Sequence, residues 1–142
     1  ALKYFSETTQ NDAPVVQLCV KSRPWAIQYS STLLWDDDKV MACVASVDGL
    51  PALKYASKRL RACTKLVRMA VQSNGLAIRF ASEDLRADRE IAQLAIRNNP
   101  YAYPKAVRLL PREFRQNRQL LLEVLTRDGD AIRYCSSRMK SD

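Results

Sequence analysis

The sequence predicts an all-α protein, an α-solenoid of tandem two-helix repeats of about 25 residues. Three observations carry this prediction. An alanine recurs in register at Ala1, Ala26, Ala52, Ala77, Ala106 and Ala131, in steps of 25, 26, 25, 29 and 25. Within each period the apolar residues follow a helical spacing, not strand alternation. Each period is also punctuated by helix-start and helix-stop residues at fixed places.

With the alanine counted as position one, position two is Leu2, Ile27, Leu53, Ile78, Val107 and Ile132, and position four is Tyr4, Tyr29, Tyr55, Phe80, Leu109 and Tyr134. Both are apolar in every copy. Position six is serine except at Pro111, and position twelve is Asp12, Asp37, Asp88, Asn117 and Asp142, with Cys63 the exception. Asp at position twelve suits an N-cap, because its carboxylate accepts from free first-turn amides and complements the helix dipole. Long helices are therefore expected to begin near Asp12, Asp37, Cys63, Asp88 and Asn117.

In these helices positions 15, 16, 19 and 20 are apolar: Val15, Val16, Cys19 and Val20 in the first unit, Ile91, Ala92, Ala95 and Ile96 in the fourth. The spacing i, i+1, i+4, i+5 is one stripe of a helix. Positions 14, 17 and 21 are mostly polar, as in Glu90, Gln93 and Arg97. Near position 24 stand Pro24, Gly49, Gly75, Pro100 and Gly129, read as stops, Gly for a left-handed C-cap and Pro because it cannot continue a helix.

A second, shorter helix is expected to open at each position-one alanine. Serine at position six would end it and cap a following turn, closed by Leu34, Leu60, Leu85, Phe114 or Met139. Neither helix can bury its stripe alone, so neighbouring units must stack. The step of 29 reflects an insertion in RNNPYAYPK, residues 97–105, where the superhelix is expected to bend. The 142 residues form a single helical-repeat domain, with units starting at 1, 26, 52, 77, 106 and 131. The pattern opens on Ala1 and stops at Asp142, where another helix is due, so a fragment or subunit of something larger is expected.

Composition limits the function. Hydrophobic residues make up 47% of the chain, enough for a real core, and Lys or Arg interrupts every apolar segment before the roughly 18 residues a membrane span needs. Histidine is absent, and Cys19, Cys43, Cys63 and Cys135 lie 20 or more residues apart without a CxxC pair, which argues against structural zinc. Cys19 and Cys43 fall in apolar positions and read as buried reduced thiols, which fits a reducing intracellular compartment.

No catalytic, cofactor or metal residue emerges. Asp36, Asp37 and Asp38 could ligate a divalent cation, but adjacent carboxylates at a helix start diverge and instead complement the dipole. No glycine-rich phosphate loop is present.

The phrases ALKYAS with LRAC, and NGLAIRFASEDLRADREI, resemble the repeat of the domain of unknown function (DUF) 4116 family. The resemblance runs over nearly the whole chain, closest over Leu53 to Ile96 and weakest where Pro111 replaces the serine. It implies tandem helical repeats and supplies no catalytic residue.

The formal charge of +8 is arranged. Position three is Lys3, Gln28, Lys54, Arg79, Arg108 and Arg133; position ten is Gln10, Trp35, Arg61, Arg86, Arg115 and Lys140. Stacked units would align them into two cationic ladders, suited to acidic protein segments, anionic lipid or a phosphate backbone. The tyrosines all but coincide with core positions, so they are not free to stack on bases. A non-catalytic protein-interaction or scaffolding module is therefore expected, with nucleic-acid or other polyanion binding as the alternative. The candidate contact residues are Trp35, expected on the outer surface because it replaces a basic residue, Tyr101 and Tyr103 of the insertion, and the cations Lys54, Arg79, Arg86, Arg108, Arg115 and Arg133.

Overall fold

The computed structural model describes residues 2–98 together with 118, 119, 122 and 126. Among them four long helices follow one another, Ala13–Ser22, Asp38–Val47, Thr64–Ser73 and Arg89–Arg97. No strand occurs among the described residues, and the GLAIRF stretch, the one most open to a strand reading, is the 3-10 helix Gly75–Phe80.

Each long helix starts one residue after position twelve. The Asp12, Asp37 and Asp88 side chains accept from Val15, Val40 and Ile91 N–H at 3.4, 2.8 and 3.0 Å, as N-caps do. Cys63 fills the same place without a side-chain cap. The expected start at Asn117 lies outside the described residues, although Arg118, Gln119 and Leu122 are helical.

The helical stripe forms the core. Val40, Met41, Val44 and Ala45 of the second unit, Leu66, Val67, Ala70 and Val71 of the third, and Ile91, Ala92, Ala95 and Ile96 of the fourth are all buried. The position-two residues Leu2, Ile27, Leu53 and Ile78 join the same cluster. Each fully buried Val, Leu or Ile contributes on the order of 2 kcal/mol, and this burial is made between units. Each described long helix after the first packs against the preceding long helix, and Ala13–Ser22, Asp38–Val47 and Thr64–Ser73 each pack against the short helix that follows.

The glycines and prolines act differently from the expectation. No described residue has positive φ, so no left-handed C-cap exists among them. The long helices end at Ser22, Val47 and Ser73, and one extended residue, Arg23, Asp48 or Asn74, turns the chain. Pro24, Gly49 and Gly75 then open the next helix, Pro24–Tyr29, Gly49–Tyr55 or Gly75–Phe80, two or three residues ahead of the alanine. Asp48 and Asn74 cap these helices, accepting from Leu50 and Leu76 N–H at 3.0 and 3.1 Å. Proline is tolerated at Pro24 because a first helical residue has no intrahelical partner for its N–H.

A third helical turn follows serine in each unit: Glu7–Gln10, Thr32–Asp36, Lys58–Arg61 and Glu83–Arg86. The Ser31, Ser57 and Ser82 side chains cap their turns by accepting from Leu33, Leu60 and Leu85 N–H. The second to fourth units thus hold three helical segments, where the sequence suggested two helices and a turn. The serine backbone also ties units together, because Ser31, Ser57 and Ser82 N–H donate to Gln10, Trp35 and Arg61 C=O of the preceding unit, each at 3.0 Å. The insertion after Asn98, with its expected bend, lies outside the described residues.

Gly49 shows why glycine is needed at one of these starts. A Cβ there would lie 2.6 Å from the Cα of Ala70 on the next long helix and closer still to its carbonyl. Gly49→Ala must push the third unit away from the second, and we expect a loss of about 3 kcal/mol, read from chemical denaturation. An unchanged midpoint would contradict this close approach.

Candidate functional site

The two cationic ladders separate once the side chains are placed. Position ten is a donor position. Gln10 Nε2 donates to Leu2 and Phe5 C=O at 3.3 and 3.0 Å, Trp35 Nε1 to Ile27 C=O at 3.2 Å, and Arg61 Nη2 to Lys54 C=O at 2.6 Å. Each donates to carbonyls in or just after its own unit's first short helix, those of Leu2 and Ile27 accepting from Phe5 and Ser30 N–H as well. Gln, Trp and Arg share an N–H and not a charge, which explains why they interchange here.

Trp35 is therefore not on the outer surface as its neighbours in the ladder suggested. It is half-buried against the core, donates also to Ser30 Oγ at 3.2 Å, and lies 5.4 Å from the Tyr55 ring of the next unit. Arg61 and Arg86 are half-buried as well, each with its Nε enclosed and without an acceptor. Arg86 pairs with Glu83 at 3.7 Å along its own turn.

Position three is exposed at Lys3, Lys54 and Arg79, and each cation lies over an aromatic ring at position four. Lys3 Nζ is 5.8 Å from the Tyr4 ring centroid, Lys54 Nζ 5.5 Å from that of Tyr55, and the Arg79 guanidinium 5.1 Å from that of Phe80. Lys54 also reaches the Trp25 ring at 5.1 Å. Exposed cation–π pairs of this kind contribute about 0.5–1 kcal/mol each. Arg108, Arg115, Arg133, Tyr101 and Tyr103 lie outside the described residues.

The acidic trio joins units. Asp37 caps its helix, while Asp36 and Asp38 hold Arg59 of the next unit, Asp36 Oδ1 accepting from Nε at 3.0 Å and Asp38 Oδ2 from Nη2 at 3.1 Å. Ser57 Oγ–H donates to Asp36 as well. That hydroxyl, reinforced by Arg59, holds the Asp36 carboxyl below its ordinary range. Arg68 and Glu90 form a further pair between units. Among the described residues no group of three His, Cys, Asp or Glu is placed to hold a metal ion, and no described helix is long and apolar enough to cross a membrane.

Two readings of apolar residues are corrected in the first two units. Cys19 and Cys43 are half-buried free thiols, not fully buried ones. Tyr4 and Tyr29 are 83% and 38% exposed, so position four is not a core position throughout. Around Tyr29 the surface is apolar and concave. Leu18, Cys19, Trp25, Ala26 and Tyr29 bound a cavity of about 480 Å³ with Arg23 at its edge. Leu18 is 70% exposed and Trp25 39%, a grouping of apolar side chains that is rare on a surface without a partner. Trp25 is the residue sequence reasoning missed. Its signal was a tryptophan where the equivalent residues are Leu50 and Leu76.

Trp35→Ala should remove a half-buried ring and its hydrogen bonds, lowering stability by about 3 kcal/mol in denaturant titration, with Trp35→Phe recovering most of the packing. An unaltered Trp35→Ala midpoint would place the ring in solvent after all. The depressed Asp36 carboxyl contributes stability that is present above its ordinary pKa and lost as pH falls through its lowered value. Denaturation midpoints of the native chain and Asp36→Asn are expected to differ at pH 7 and converge in acid. Parallel curves at every pH would show no linkage at Asp36.

No curated protein and no solved structure matches the chain. The family model described as "Domain of unknown function (DUF4116)" matches residues 63–115, from the third long-helix N-cap to position ten of the fifth unit, a narrower span than the repeated positions cover. Over residues 63–115 the chain is similar to the DUF4116 family.

Proposed function

We propose that the chain is a non-catalytic protein-interaction module, an α-solenoid serving as a scaffold or accessory part of a larger assembly in a reducing intracellular compartment. The observation that carries this reading is the exposed apolar concavity at Leu18, Trp25 and Tyr29. Apolar and aromatic side chains of this kind anchor protein interfaces.

The charge arrangement supports the same choice. Among the described residues Gln10, Trp35 and Arg61 donate to backbone carbonyls, Arg86 pairs with Glu83, and the position-three cations lie over rings. Of the described residues in the two ladders that leaves Lys3, Lys54 and Arg79 exposed, a sparser ladder than the sequence pattern suggests.

Salt separates the two. Partners captured from the source cell at high salt are expected to survive a Lys54→Glu, Arg79→Glu double variant and to be lost with Leu18→Asp. A partner lost with the charge reversals and released steeply by salt would make the module a polyanion binder.

A further inference from the structure

We draw no further inference here: the strongest candidate, the cavity between the starts of the long helices Asp38–Val47 and Thr64–Ser73 that Lys39, Cys63 and Lys65 line, carries nothing, since it comes down to a single cysteine at a helix N-terminus and nothing else in the structure points to a ligand there.

Discussion

A unit of about 25 residues cannot bury its own apolar stripe, and the described structure depends on that constraint. Val40, Val44, Leu66 and Ala70 reach full or near-full burial because successive long helices lie against one another. Three smaller devices keep the spacing uniform. Serine N–H groups donate to position-ten carbonyls of the preceding unit, position-23 side chains meet at Asp48 and Asn74, and Arg59 is held by Asp36 and Asp38. Gly49 sets how close the second and third units come, since its missing side chain is the space Ala70 occupies.

The same constraint bears on position 18, which differs in exposure between the described units. Where stacking supplies a neighbour, position 18 is shielded; at the first unit Leu18 is not. An apolar side chain left in water costs what its burial would contribute, on the order of 2 kcal/mol for leucine. Association driven by that surface tolerates salt, in contrast to phosphate binding. This is why the apolar groove, rather than the basic residues, carries the functional reading.

Among the described residues of the two ladders, charge has local uses. Arg61 and Trp35 do one job, donation to short-helix carbonyls, despite differing in charge. Lys54 and Arg79 lie over rings that they partly shield. A basic composition therefore overstates how many cations stand free to meet a polyanion, because Arg and Lys also serve as long apolar stems and as hydrogen-bond donors.

Much of the fold was legible in the sequence because its causes are local. The caps at Asp12, Asp37 and Asp88, the stripe of the long helices and the serine-capped turns each depend on residues within about four positions. Sequence alone also placed Leu53 and Ile78 in the core. Much of what the tertiary structure decided depends on residues of different helices or units. Gly49 and Pro24 start helices rather than stop them, because the aspartate or extended residue before them turns the chain and the next unit needs the space. Trp35 faces inward because a carbonyl at Ile27 and a ring at Tyr55 are both in reach. Tyr29 holds an apolar position yet is 38% exposed, since burial there depends on contacts between units, which no single repeat's sequence encodes.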